Sequence, residues 1–399
     1  MRPGAIDRLN SSVPVPWPRA LAAAVAPYIA CSMPIFLTAT MAIRLKDDLG
    51  IGEEALGALL SIFSVGAAVA APVMGRLAER LGPGPSLRLA SALSGVVMIS
   101  IATAAQGWSA IAGLLIAGGI AATLMQSSSN LWLARTIEDR RMGLAFGLKQ
   151  SGGPTAALLA GVAVPVLALA VGWRWTFAVF GGFALAAVLS VPRTGLRGVG
   201  RTAPSREGDV DLGPLLVLTA GAAVSTALSA AFTGFSVTAA VQQGGLSEST
   251  AGVLFALGAL AGVGTRVALG HWVDGRPDTR FGVPAVLVGA GALGFAVLSQ
   301  GSGSPLAFMV AVPFSFATVW GWVGVFNYAI TRSNATSPAA ATGITLVGSN
   351  AGVILGPAVF GFLFARSFTA AWLTAAVGSL LGAALMTLGG SLVRRGAVA

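Results

Sequence analysis

Long apolar runs alternate with short polar breaks along almost the whole chain. The runs fall at about 20–43, 53–74, 87–106, 109–134, 143–171, 174–191, 213–241, 249–272, 282–299, 305–331, 341–365 and 369–391, each bounded by charge or by Gly/Pro clusters. A bilayer core takes about 20 apolar residues per helix, so the pattern predicts twelve membrane-crossing helices. The least apolar interior stretch, 192–211, carries Arg193, Arg197, Arg201, Arg206, Glu207, Asp209 and Asp211, too polar and too broken by Gly and Pro to pack in lipid. The expected architecture is an all-α membrane protein of two pseudo-symmetric six-helix bundles, residues 1–191 and 213–399, joined by a linker at 192–212. Residues before Arg19 hold scattered charge with Pro14, Pro16 and Pro18, and read as a short arm ahead of the first span instead of a cleavable signal peptide.

Composition sharpens this picture. With 55% hydrophobic and 10% charged residues, an ordinary water-soluble domain is excluded. The formal net charge of +10 would suggest nucleic acid in a soluble chain, but the basic residues are placed by topology. If both termini are cytoplasmic, only Arg44, Lys46, Arg174 and Arg366 fall in loops on the opposite side, and Lys149 and Arg266 fall inside spans. The expectation is a multi-pass protein of the bacterial inner membrane with both termini in the cytoplasm, a monomer whose partners are lipid and a small molecule, not nucleic acid. Cys31 and His271, the sole residues of their types, leave no disulfide and no Cys/His metal site, so no metal and no cofactor is expected. The same scarcity, with no carboxylate in the middle of any span, leaves little from which to build a membrane-embedded enzyme.

The halves repeat one another. Gly75, Glu79, Arg80 and Gly82 after the second span have counterparts in Gly270, Asp274 and Arg276 after the eighth. Asn130 and Arg135 match Asn327 and Arg332, and Gln150 aligns with Asn350. Repeats of this kind place a substrate site between the halves. With these residues in view, the chain resembles the major facilitator superfamily, whose hallmark is Gly-x-x-x-Asp/Glu-Arg-x-Gly in the loop after the second span. The resemblance implies two bundles rocking about a central cavity, with Gly75, Glu79, Arg80, Gly270, Asp274 and Arg276 forming gating loops that latch the cytoplasmic face. The run Gly147-Leu-Lys-Gln150 followed by Gly172-Trp-Arg174 is similar to the bacterial branch of cyanate-permease-like proteins.

Lys149 and Arg266 are the only mid-span charges, and neither has an acid in the spans to pair with. Unpaired charge in hydrocarbon is costly, so an anionic substrate is the natural partner for two cations facing one cavity. Arg266 also matches the place of an anion-binding Arg that the resemblance to oxalate/formate exchangers and nitrate porters implies. The competing reading has both side chains snorkelling to the inner surface. Ala71 stands where nitrate porters carry a second Arg, which disfavours nitrate. Tyr28, Tyr328, Gln126, Asn130, Gln150, Asn327 and Asn350 are further candidates for orienting the substrate, with Trp132, Trp320 and Trp322 as walls. For each amide, interhelical hydrogen bonding is an equal alternative. The function expected is secondary-active transport of a small organic or cyanate-like anion by alternating access; the alternative is efflux of drugs or other lipophilic compounds.

Overall fold

The computed structural model describes residues 16–137, 145, 148–193, 211–274, 281–334 and 338–396. It has 12 helices long and apolar enough to cross a membrane. In order these are Trp17–Thr40, Glu53–Leu81, Pro83–Ala104, Trp108–Leu133, Leu148–Val171, Trp173–Ser190, Leu212–Gln242, Glu248–Leu269, Gly282–Gln300, Pro305–Ser333, Ala341–Arg366 and Phe368–Arg395, and no strand occurs among the described residues. With an even number of spans the chain begins and ends at one end of the bundle, called here the termini end; the loops after odd-numbered spans lie at the far end.

Three local features depart from the apolar pattern. The second span continues as helix to Leu81, so Glu79 and Arg80 sit on its exposed last turn and not in a loop. Its connection to the third span is Gly82 alone, at φ 83°, with Pro83 at the first helical position. Glycine tolerates that left-handed φ and proline presets the helical one, so a single residue reverses the chain. The fifth span contains a π-helical stretch, Val164–Ala168, at Pro165, where the missing N–H and the ring's clash with a preceding carbonyl disrupt the ladder. The tenth span is broken: Pro305–Val319 and Trp322–Ser333 are separate helices that meet at Trp320 and Gly321.

The halves meet at the far end. Here Arg44 Nε donates to Glu248 Oε2 at 2.7 Å and Arg366 Nη1 to Glu54 Oε1 at 2.5 Å, each pair joining one half to the other. Lys46, in the short helix Ala42–Leu49 after the first span, pairs with Glu53. Oriented to suit both neighbours, the Gln242 amide of the seventh span donates to Glu53 Oε1 (3.1 Å) and accepts from Lys46 Nζ (2.9 Å). Arg174 pairs with Asp48 at 3.0 Å, so all four basic residues that the charge pattern assigns to this end are in ion pairs. Behind the pairs, a hydrophobic cluster runs across the halves from Leu56, Leu60 and Ala157 to Phe232, Phe235 and Phe360. Glycines let the backbones touch: a Cβ on Gly57 would lie 2.4 Å from the Pro357 carbonyl oxygen, and one on Gly161 would lie 2.6 Å from that of Gly252.

Candidate functional site: a cavity between the two halves

Beneath this closed end lies a cavity of about 450 Å³ walled by spans from both halves. The fifth span contributes Gln150, Gly153, Pro154 and Ala157, and the eighth contributes Ala259, Gly262 and Arg266. Both sets follow the three-and-four spacing of one helical face. Most of the remaining wall is apolar or aromatic, including Ile35, Phe36, Leu60, Phe63, Phe316 and Val353. Polar groups come from Tyr28, Ser32, Ser64, Gln150, Thr233 and Trp320; Arg266 is the formally charged member of this wall.

Arg266 is held by the broken tenth span. At a break the helix leaves backbone carbonyls without their usual N–H partners. Two of these receive side-chain donors: Trp320 O accepts from Arg266 Nε at 2.8 Å, and Val319 O from Ser229 Oγ at 2.6 Å. The guanidinium carbon also sits 5.5 Å from the Trp320 ring centroid. That ring is itself fixed, since Trp320 Nε1 donates to Thr233 Oγ1 at 2.8 Å. Among the described residues, Nε alone of the guanidinium nitrogens has a hydrogen-bond partner, so both Nη atoms are left for another acceptor. Arg266 therefore does not snorkel to the surface; it is anchored through one nitrogen and presents the other two.

Tyr28 forms the opposite wall. Its ring packs on the fifth span where glycine leaves room, and a Cβ on Gly152 would come within 2.7 Å of Tyr28 Cδ1. Tyr28 and Arg266 thus line one cavity from the two halves.

Lys149 corrects an expectation. It does not line the cavity with Arg266: it is 1% exposed, its Nζ donates to Asn130 Oδ1 at 2.7 Å, and it lies 5.3 Å from the Tyr28 ring centroid. The reason is rotational. Position 149 precedes the cavity-facing stripe that starts at Gln150, and one residue turns a helix by about 100°. Nor does Lys149 snorkel, because it is buried and its Nζ bonds Asn130 within the bundle.

The other candidates divide by depth. Tyr28 and Gln150 are in the wall. Ala122, Val323 and Val353 line the cavity from the fourth, tenth and eleventh spans, and Gln126, Asn130, Asn327 and Asn350 lie on the same stripes, one or two turns nearer the termini end. None of these four amides lines the cavity, and neither does Tyr328, one residue off its stripe. Asn130, Asn327 and Asn350 are exposed, and Gln126 has a buried Oε1 with no partner among the described residues. Trp132 is structural, donating to Ala20 O at 2.9 Å, and Trp322 is buried, so Trp320 is the tryptophan in the wall. Of the gating candidates, Gly75, Glu79 and Arg80 lie at the termini end of the second span, and Gly270 and Asp274 lie in the last turns of the eighth-span helix. The Asp274 side chain and Arg276 fall outside the described residues.

Sequence reasoning missed Ser32, Ser64, Thr233 and the aromatic residues Phe36, Phe63 and Phe316. Their only signal is position on a face that an apolar chain does not mark. Gly258 of the eighth span leaves room for Phe316, since a Cβ there would meet its ring at 2.2 Å.

Among solved structures, this chain is similar to a bacterial homologue of the human lysosomal transporter Spinster in two inward-facing conformations. The unoccupied form has a TM-score of 0.71 and 12% identity, covering 95% of this chain and 97% of that one. The occupied form has a TM-score of 0.73 and 14% identity over 94% and 96%. A mutant of the nucleoside transporter NupG matches with a TM-score of 0.74 and 16% identity, over 93% of this chain and 99% of its own. At these identities the likeness is one of fold. No curated protein matches in sequence. Residues 24–347 match the family description Major Facilitator Superfamily. With that match over most of its length, and twelve membrane-crossing helices folded as in solved transporters, the chain belongs to the major facilitator superfamily.

Proposed function

We propose that the protein is a secondary-active transporter of the bacterial inner membrane that moves an anion through this cavity by alternating access. The observation that carries the reading is Arg266, the formally charged residue in a wall otherwise built of apolar and uncharged polar side chains, with two guanidinium nitrogens unclaimed among the described residues. A planar fork with two free donors suits a carboxylate or another oxyanion. The wall offers no carboxylate to a cation. Lys149 adds positive field from behind Tyr28 without touching the substrate, and that field falls on the same cavity. The ion pairs at the far end hold one face shut, while Glu79, Arg80 and Asp274 are placed to latch the other face in the opposite state. Both termini are assigned to the cytoplasm by the excess of Arg on their side.

Uptake by the protein in liposomes tests the reading. Arg266→Gln should lose about 100-fold in apparent affinity for the transported anion, the weight of two charge-assisted hydrogen bonds at roughly 1.5 kcal/mol each. Arg266→Lys should recover little of it, since a point charge cannot keep Trp320 O and grip an oxyanion fork at once. The apolar wall favours one other reading, efflux of lipophilic compounds. Transport of a lipophilic cation at rates unaffected by Arg266→Gln would establish that reading instead.

A further inference from the structure

We propose that the substrate is an organic monoanion with a flat apolar body, its acidic group on the Arg266 Nη atoms and its body against Phe36, Phe63, Phe316 and Trp320. The inference rests on the anion reading and adds size, charge number and shape to it.

Size comes first. A three-atom anion such as cyanate or formate displaces about three waters' worth of space, roughly 90 Å³. In a cavity of about 450 Å³ it would touch only a small part of the wall. A cavity of this volume falls in the range that encloses ring-sized organic ligands.

Charge number follows from the wall. One guanidinium in the wall pairs directly with one negative charge, and Lys149, which is not in the wall, lies against the Tyr28 ring and already donates to Asn130. A second acidic group would be buried with no cation beside it, which is strongly unfavourable.

Shape follows from rigidity. Phe316 is pinned edge-on between Phe232 (4.8 Å between centroids) and Phe255 (5.2 Å), and Trp320 is fixed through Thr233. Phe63 is 8% exposed and Phe316 3%. Phe316 and Trp320 are therefore fixed rings in the wall, and fixed aromatic walls favour a flat partner because neither side loses much freedom when they meet.

The test is binding to the purified full-length protein by calorimetry, with benzoate and 2-naphthoate as probes. Formate and cyanate serve as small anions, phthalate as dianion, benzamide as neutral isostere and benzyltrimethylammonium as cation. Benzoate should bind about 30-fold tighter than formate, the weight of one buried ring at roughly 2 kcal/mol. It should also outbind phthalate and benzamide at least tenfold. Phe36→Ala should narrow the gap between benzoate and formate by weakening benzoate the more, whereas Arg266→Gln should abolish the preference for benzoate over benzamide. Small anions that match benzoate, with binding still lost in Arg266→Gln, would overturn the inference and leave the anion reading standing. Benzamide or the cation binding as well as benzoate, indifferent to Arg266→Gln, would overturn the anion reading itself. Failure of both aryl carboxylates to bind would overturn the inference.

Discussion

Lys149 and Arg266, the two cations inside spans, are handled in opposite ways. Arg266 is tethered by one nitrogen to a carbonyl that a helix break has released, and keeps its fork free. Lys149 is consumed by its surroundings: Asn130 accepts from it and the Tyr28 ring covers it. The partners therefore differ in what their loss would do. Lys149→Gln removes a desolvated charge and keeps a hydrogen-bonding group opposite Asn130, so stability should change by less than about 1 kcal/mol and anion affinity by less than about tenfold. Asn130→Leu strands the ammonium and should destabilise by about 3 kcal/mol or more. Thermal denaturation of the two variants in detergent checks the order, and a Lys149→Gln variant less stable than Asn130→Leu would refute this account of the pair. Arg266, Tyr28, Gln150 and Trp320 were legible as wall residues because charge, hydroxyl, amide and indole stand out in an apolar chain. Lys149 was misread for the same reason: a charge is conspicuous in sequence whichever way its helix turns it.

Among the elements, the tenth span does what an unbroken helix could not. Its interruption at Trp320 and Gly321 supplies the acceptor that orients Arg266 and lets the Trp320 ring reach Thr233. Gly321 is crowded: a Cβ there would lie 2.3 Å from Ala317 O and 2.6 Å from Thr265 Cγ2 of the eighth span. Gly321→Ala should therefore push the tenth and eighth spans apart and misplace the Arg266 fork. Anion affinity should fall about tenfold or more while membrane insertion and the helical circular dichroism stay unchanged, and wild-type affinity in this variant would show that the break is incidental. Twelve spans could be read from hydropathy alone, because lipid imposes length and apolarity on every span. The break could not, since Val319-Trp-Gly-Trp-Val-Gly324 is continuously apolar or small and carries no polar signal. The far-end pairs were equally hidden. Arg44 and Glu248 are 204 positions apart, and Glu54 and Arg366 are 312 apart, so nothing local marks them as partners.

At the scale of the whole molecule, the far-end contacts are unequal. Arg366 and Glu54 are each more than half exposed, and such pairs contribute about 0–1 kcal/mol. Gln242 sits between two largely buried charges, Lys46 and Glu53, and each hydrogen bond to a charged group is worth about 1.5 kcal/mol or more. Gln242→Leu should therefore shift the equilibrium toward opening at the far end at least tenfold, and Arg366→Gln less than fivefold. Labelling of a Ser64→Cys reporter in the cavity wall by a reagent applied from the far side reads this directly, and equal labelling in the two variants would argue against the ranking. The backbone crossing of Gly161 and Gly252 gives the same machine a fulcrum. From Gly161 to Leu148 the fifth span runs about 20 Å at 1.5 Å per residue, so a tilt of ~10° about the crossing swings its lower tip by about 3 Å while the crossing itself hardly moves. A contact sealed by two glycines thus acts as the pivot of a lever. Rotations too small to disturb the crossing are geared up into displacements of several ångströms at the termini end.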